Sequence, residues 1–333
     1  MNNIKFRAML VSETEKDEFN RAIVDRQLKD LPEGDIVINV KYSSLNYKDA
    51  LSATGNTGVT RNYPHTPGID AAGIVVHSNN DSFKVQDKVI VTGYDLGMNT
   101  SGGYEEYIRV PAKWVVKLPR DLSLRESMIY GTAGFTAALS VYKLVKSGVK
   151  PSDGDILVTG ATGGVGSIAI SILSKIGYDV IAATGKDSAR EMLMGIGAKD
   201  IVHRKEIDDT SGRALLKSRW AGVIDTVGGN ILATAIKSTN YGGSVTSCGN
   251  VSANEFSTSV FPFILKGVTL FGIDSVKCPM DIRLMIWSKL SEDWKPNNLD
   301  ANVDEVSLEG LSKKIDMILK GKHKGRTVVN LDL

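Results

Sequence analysis

Four glycines fall within the seven residues Gly160-Ala-Thr-Gly-Gly-Val-Gly166. They follow the short apolar run Ile156-Leu-Val158 and precede a stretch that sets Ile168, Ile172, Leu173 and Ile176 on one helical face. The order is strand, tight turn, helix. Glycines at such a turn let backbone approach a pyrophosphate closely, and the helix beyond presents unpaired N–H groups to its charge. The chemistry indicated is nucleotide binding, and the agreement of strand, turn and helix sets it apart from a merely structural glycine turn.

The next strand ends in Ala183-Thr184-Gly185-Lys186. NAD sites usually carry Asp or Glu at this point, bonded to the adenosine ribose. Here a hydroxyl, a glycine and a lysine stand instead, and Arg204 follows the strand after. A carboxylate would repel a 2′-phosphate, whereas two cations would accept it. Together Lys186 and Arg204 predict NADPH rather than NADH. Asp187 dissents, and its place directly before a helical run predicts an N-cap role.

No His-Glu-x-x-His, Cys-x-x-Cys or Gly-x-Ser-x-Gly pattern occurs, and His65, His77, His203 and His323 are scattered, as surface or turn residues would be. The sequence therefore predicts no metal ligand set and no activated nucleophile. The nicotinamide must supply the chemistry. Its acceptor must be intrinsically electrophilic, such as a quinone or an α,β-unsaturated carbonyl. Tyr142-x-x-x-Lys146 imitates the catalytic pair of short-chain dehydrogenases, but it precedes the glycine turn instead of following it at a distance. The two residues read as neighbours one helical turn apart.

The elements that must position these groups follow from the pattern. With 333 residues and 42% hydrophobic content, the chain can build two cores. A net charge of +2 offers no broad field for nucleic acid or a membrane surface. No apolar run approaches the about 18 residues of a spanning helix. The opening Met-Asn-Asn-Ile-Lys-Phe-Arg lacks the apolar core of a secretion signal. Two cysteines, Cys248 and Cys278, exclude a disulfide framework. A cytoplasmic setting is expected.

Residues 1–127 read as β-rich, with short runs such as Ile36–Val40, Gly73–Val76 and Lys88–Thr92. A helix is expected from Gly131 to about Ser147. Predicted strands at Ile156–Thr159, Val180–Thr184, Asp200–His203, Gly222–Thr226, Ser244–Cys248 and Val268–Ile273 then alternate with helices, including Ser188–Met194 and Ile231–Ser238. That alternation implies an α/β fold with a doubly wound parallel sheet. A final strand at Thr327–Leu331 is placed to rejoin the first domain.

Further segments carry a family resemblance. They are Ser44-Leu-Asn-Tyr-Lys-Asp-Ala-Leu51, Pro67-Gly-Ile-Asp-Ala-Ala-Gly73, Gly102-Gly-Tyr-Glu-Glu-Tyr107 and Gly131-Thr-Ala-Gly-Phe-Thr-Ala137. After the glycine turn come Asp225-Thr-Val-Gly228, Asn240-Tyr-Gly-Gly243, Pro262-Phe-Ile-Leu-Lys-Gly-Val268, Gly272-Ile-Asp-Ser-Val276 and Gly325-Arg-Thr-Val-Val329. In family order across essentially the whole chain, they resemble the medium-chain dehydrogenase/reductase superfamily. The similarity is to its zinc-free quinone oxidoreductase branch, of the YhdH/YhfP type, which is similar to NADPH-dependent acryloyl-CoA reductases.

The resemblance implies a discontinuous GroES-like catalytic domain (residues 1–127 and 276–333) and a central Rossmann domain (residues 128–275) that binds NADPH. It also implies a homodimer joined edge to edge through the Rossmann sheets. Where zinc-dependent members carry Cys, His and Cys, this chain carries Asn46, Ile69 and Ala133, so zinc binding is not expected. Tyr47 corresponds to a residue near the nicotinamide, while Thr162, Gly163, Gly164 and Val165 correspond to the pyrophosphate cradle. Thr184, Gly185, Lys186 and Arg204 match the 2′-phosphate pocket, and Asn250, Ile264 and Ser275 the nicotinamide half. Lys320 stands where a cofactor-contacting Asn is common.

The expected reaction is hydride transfer from NADPH to the β-carbon of an enoyl thioester such as acryloyl-CoA, or to a quinone. Tyr47 or water would supply the proton, Asn46 would orient the ribose and Asp49 would hold the loop. A packed tyrosine and a turn-capping asparagine remain open beside those roles. Lys313, Lys314, Lys320, Lys322, Lys324 and Arg326 form a basic run that either receives thioester phosphates or is a solvated helix end. The alternative function is an NADPH-sensing binding module without turnover, against which the near-neutral charge argues where the partner is RNA.

Overall fold

The computed structural model describes residues 4–333. The chain opens with β1 (Lys5–Glu15), β2 (Glu18–Gln27), β3 (Ile36–Ser44), α1 (Tyr47–Ser52) and β4 (Asp70–Ser78). Then come β5 (Lys88–Thr92), β6 (Tyr107–Val110), β7 (Val115–Lys117) and α2 (Leu124–Lys146). The alternating region runs β8 (Ile156–Val158), α3 (Gly164–Lys175), β9 (Val180–Thr184), α4 (Arg190–Gly195) and β10 (Asp200–His203). It continues through β11 (Trp220–Asp225), α5 (Gly229–Ser238), β12 (Thr239–Ser247), α6 (Phe261–Lys266) and β13 (Thr269–Gly272). The chain closes with α7 (Met280–Ser291), β14 (Val303–Val306), α8 (Leu311–Leu319) and β15 (Arg326–Asn330).

Two compact units emerge. The first holds the described residues up to Thr132, together with Val276–Ser291 and Asn302–Leu333; the second holds Ala133–Ser275 and Glu292–Ala301. The unit boundary falls inside α2, five residues beyond the expected 127/128 break. Residues 292–301 join the second unit because Asn297 accepts from Lys175 Nζ at 2.9 Å and Asn298 Nδ2 donates to Gly195 O at 2.9 Å.

In the first unit a seven-stranded sheet runs β14-β15-β3-β4-β5-β7, with β6 also on β3. The carboxy-terminal β15 pairs antiparallel with β3, Val328 opposite Ser44. Alternating apolar residues of β3, β4 and β5 (Ile36, Ile38, Val75, Val89) face a core closed by Leu311 and Ile315 of α8. In the second unit the parallel sheet runs β10-β9-β8-β11-β12-β13. Its inner strands β8, β9 and β11 are buried throughout, as apolar runs such as Ile156-Leu-Val158 require.

The helix expected from Gly131 begins at Leu124. Ser123 and Glu126 form a reciprocal cap: the Glu126 amide donates to Ser123 Oγ at 3.1 Å, and the Ser123 amide to Glu126 Oε2 at 2.8 Å. Gly131 interrupts α2 at φ 49, ψ −155 rather than starting it. His65 and His323, expected at the surface, are buried at 6% and 9% exposure. Tyr142 and Lys146 are one turn apart as expected, the ammonium 5.6 Å from the ring centre.

Candidate active site

The glycine turn is locked to its neighbour strand by hydroxyl chemistry. Thr159 Oγ1 donates to Asp225 Oδ1 at 2.7 Å and accepts the Thr226 amide at 3.0 Å. Thr226 Oγ1 returns a bond to Thr159 O at 2.9 Å, and Asp225 Oδ2 accepts the Gly228 amide at 2.8 Å. Burial raises the Asp225 carboxyl above its ordinary range, against the pull of those donors. No side chain fits inside this knot. A Cβ on Gly160 (φ +57) would stand 2.2 Å from Thr226 Oγ1, and one on Gly166 would stand 2.5 Å from Gly160 O. α3 starts on Gly163, which supplies no capping side chain. Thr162, Gly163, Gly164 and Val165 thus border a bare helix start of the kind that suits a pyrophosphate.

The ends of β9 and β10 lie side by side, Thr184 opposite His203. Beside them a cavity of about 250 Å³ is lined by Thr184, Lys186, Asp187, Arg190, Ile201, His203 and Glu206. Thr184 Oγ1 accepts the Lys186 amide at 3.1 Å. Arg204 crosses Gly185 so closely that a Cβ there would meet its Nε at 2.7 Å. Thr184, Gly185, Lys186 and Arg204 therefore assemble in one place. Asp187 is not an N-cap: it is the first residue within a 3-10 turn, Asp187–Ala189, and no side-chain cap bond forms there. Its carboxylate stays beside the cavity.

A larger cavity, about 760 Å³, is lined by Asn250 with Gly228, Leu232, Cys248, Ile273 and Asp274 among others. Ser275 follows directly on this lining. Ile264 is not part of it; α6 turns Phe261, Ile264 and Leu265 to one side, where Ile264 is 66% exposed. Cys248 was not singled out by the sequence. Its thiol donates to Asp225 O at 3.3 Å, and burial, reinforced by Asp225, pushes it up to about 12, which leaves it unreactive.

In the first unit, α1 starts at Tyr47 with Asn46 as its cap. The Asn46 amide N–H donates to Asp49 Oδ2 at 2.8 Å, and its side-chain nitrogen donates to Asp70 Oδ2 at 2.7 Å and Asp49 Oδ2 at 3.2 Å. Asp49 Oδ1 accepts the Ile69 amide at 2.8 Å, which ties the two loops together. Asp70 also accepts from Ser44 Oγ, the Thr132 amide and Thr132 Oγ1, at 2.6, 2.8 and 2.6 Å. Arg326 reaches in from β15: Nε donates to Ile129 O at 2.8 Å, Nη1 to Leu45 O at 3.1 Å, and Nη2 to Ser44 Oγ at 2.9 Å. Two buried carboxylates thus face one buried guanidinium. Burial first, then the Asp70 carboxylate, pushes Asp49 up to about 7, so a shared proton brings the cluster towards neutrality. Tyr47 is different: its ring is 45% exposed.

A match to the alcohol dehydrogenase GroES-like domain covers residues 32–120, and a match to the zinc-binding dehydrogenase family covers residues 164–291. Bacillus subtilis YhfP is 46% identical over 323 residues, 97% of this chain and 98% of its own. Its crystal structure with NAD bound superposes at a TM-score of 0.96, with 45% identity, covering 99% and 100% of the two chains. The acrylyl-CoA reductase AcuI of Ruegeria pomeroyi is 42% identical over 98% of this chain and 99% of its own. The yhdH oxidoreductase of Salmonella enterica, crystallised in complex with NADP, gives a TM-score of 0.95 at 41% identity, covering 98% and 99%.

The chain belongs to the medium-chain dehydrogenase/reductase superfamily. Within it the chain falls in the zinc-free quinone oxidoreductase branch, and it is an oxidoreductase.

For a medium-chain member, the positions of the zinc ligands are telling. Ile69 and Ala133 are buried apolar side chains, and Asn46 spends its nitrogen on two carboxylates. Among the described residues, no three His, Cys, Asp or Glu side chains group as a metal site. Asn46, expected to orient the ribose, directs its side-chain nitrogen to Asp70 and Asp49, and its Oδ1 faces Arg326 Nη1 at 3.4 Å. Asn46 and Asp49 bond to each other at the start of α1, the helix that Tyr47 opens. The basic run is corrected too. Arg326 is 4% exposed inside the carboxylate cluster, and Lys314 pairs with Asp304 at 2.5 Å. Asp70 lies within a quoted motif without being singled out, and Arg326 was read only as part of the basic run; a charged residue opening the apolar β15 was the available signal.

Proposed function

We propose that this protein is an NADPH-dependent, zinc-independent reductase of α,β-unsaturated acyl thioesters of the acryloyl-CoA kind, with quinones as alternative acceptors. The carrying observation is the approach of Arg204 across Gly185, beside the cavity lined by Thr184 and Lys186 and with no carboxylate ending β9, in a chain 42% identical to an acrylyl-CoA reductase. The cofactor, when bound, supplies a hydride to the β-carbon of the acceptor.

The chain's own residues do the rest. The glycine turn and α3 start hold the pyrophosphate, Arg204 and Lys186 the 2′-phosphate, and Asn250 and Ser275 the nicotinamide half. Hydride addition at the β-carbon pushes the C=C electron pair towards the thioester carbonyl, giving an enolate. Tyr47, exposed at the start of α1, donates a proton to the α-carbon and is then reprotonated from water. Asn46, Asp49, Asp70 and Arg326 fix the loop beneath it, so that orientation supplies much of the acceleration. The protein is further proposed to work as a homodimer in the cytoplasm, joined at the β13 edge.

The test is kcat/KM for acryloyl-CoA, crotonyl-CoA and a small quinone, each with NADPH and with NADH. Acryloyl-CoA with NADPH should lead. A quinone preferred over both thioesters would overturn the substrate reading, and an NADH preference would overturn the cofactor reading.

A further inference from the structure

Arg204 opens a 3-10 turn, Arg204–Ile207, whose cap is a histidine. The Lys205 amide donates to His203 Nδ1 at 3.3 Å, and the His203 amide donates to Glu206 Oε1 at 3.0 Å. Those two bonds form a capping box around Arg204, made from side chains that flank it on both sides. The box has two consequences. It fixes the backbone from which Arg204 departs, at the point where His203 pairs beside Thr184. It also occupies Glu206, the carboxylate nearest in sequence to Arg204. Among the described residues, the Arg204 side chain has no ion-pair or hydrogen-bond partner; it lies across Gly185.

A guanidinium held over a glycine and left without an anion is ready for one. An unconstrained arginine on the same turn would sample many rotamers and would be free to pair with Glu206. We propose that His203, through its box with Glu206, is a specificity-determining positioning residue: it holds Arg204 for the 2′-phosphate and so sets the preference for NADPH over NADH. This inference rests on the NADPH reading above. It assigns part of that preference to a residue that need not touch the phosphate.

The experiment is equilibrium titration of the full chain with NADPH and NADH, followed by protein fluorescence, with the ratio of the two Kd values as readout. Arg204→Ala should lower the NADPH preference about ten-fold or more, through loss of charge-assisted bonds. His203→Ala should lower it several-fold, while His203→Asn, whose Oδ1 can still accept the Lys205 amide, should restore most of it. In the Arg204→Ala background, His203→Ala should add almost nothing. The NADH Kd and thermal midpoint of each variant separate misfolding from lost selectivity. If Arg204→Ala lowers the preference and His203→Ala does not, the positioning role is overturned while the NADPH reading survives. Additive losses mean that His203 meets the phosphate directly, which also overturns it. If Arg204→Ala leaves the ratio unchanged, the 2′-phosphate reading itself fails.

Discussion

The Asn46 side-chain nitrogen donates to Asp70 Oδ2 at 2.7 Å, and that bond separates the roles of two adjacent residues. Asn46 is a buried strut between carboxylates, whereas Tyr47 projects from the same cap with nearly half its surface exposed. Removing the strut strips two buried carboxylates of a donor. Asn46→Ala should therefore lower unfolding free energy by about 1–3 kcal/mol in urea titrations. Tyr47→Phe deletes one exposed hydroxyl and should stay within about 0.5 kcal/mol of the parent. Its effect belongs in turnover instead, a loss of about 100-fold with acryloyl-CoA if the phenol is the acid. Undiminished turnover in Tyr47→Phe would leave the proton to water.

Asp49 gives a pH prediction with a definite sign. Burial holds its carboxyl at about 7, far above the ordinary carboxylate value of 3.8, so the folded chain keeps a proton that the unfolded chain has already released. The resulting stabilisation is complete below pH 3.8, is lost progressively as pH rises through about 7, and is absent above that. Glu105, also buried and pushed up to about 7 against the pull of Arg26, contributes a fall of the same sign. Asp49→Asn should thus flatten the decline in unfolding free energy between about pH 4 and pH 7 without abolishing it. An unchanged slope would show that Asp49 ionises normally in the folded chain.

Legibility in the sequence tracked locality. The glycine turn was readable because strand, turn and helix are contiguous, and β9 and β10 ended where the charge pattern placed them. The approach of Arg204 to Gly185 was readable because adjacent parallel strands bring successive strand ends together. The Asp70–Arg326 cluster was not, since its members are far apart in the chain and meet only when β15 pairs with β3. Arg326 looked like one of several surface lysines and arginines, because a basic run carries no mark of the one residue that turns inward. Ile264 is a related case: its family position implies a cofactor contact, and on α6 its side chain is exposed outside the lining around Asn250. A family position carries a role, but the face of a short helix decides what the side chain touches. The start of α2 was hidden by a two-residue cap, Ser123 and Glu126, lying before the expected Gly131.

Gly131 sits over the carboxylate cluster. At φ 49, ψ −155, its backbone lies where side chains are strained, and an added Cβ would fall 2.4 Å from both Asp70 Oδ2 and Ser44 Oγ. Gly131→Ala must therefore bend the helix and break a buried charge network together. A loss of at least about 2 kcal/mol is expected, read by chemical denaturation. Activity should fall more than in Gly177→Ala, whose added methyl meets nothing within 4 Å although its φ is also positive, at +88. Equal effects of the two variants would mean that backbone strain, and not the cluster, is what Gly131 protects.

The β13 edge supplies the last prediction. β13 pairs with β12 on one side and ends the sheet on the other, so its outer N–H and C=O groups are available to a second strand. Beside it, α6 and its approach expose Val260 at 63%, Ile264 at 66%, Leu265 at 57% and Phe261 at 44%. An open strand flanked by apolar side chains is unfavourable in water and fits a twofold contact with another copy of the same edge. Light scattering of the purified chain should give the mass of a dimer at micromolar concentration. Ile264→Arg places a charge in that contact and, if the axis passes nearby, opposite its own copy, and should weaken association by about ten-fold or more. The NADPH Kd is measured in parallel, because a cofactor contact of Ile264, implied by its family position, would weaken NADPH binding in the same variant. A chain that is monomeric before the substitution would remove the edge-to-edge assembly, whereas a dimer indifferent to Ile264→Arg would move the interface to another surface.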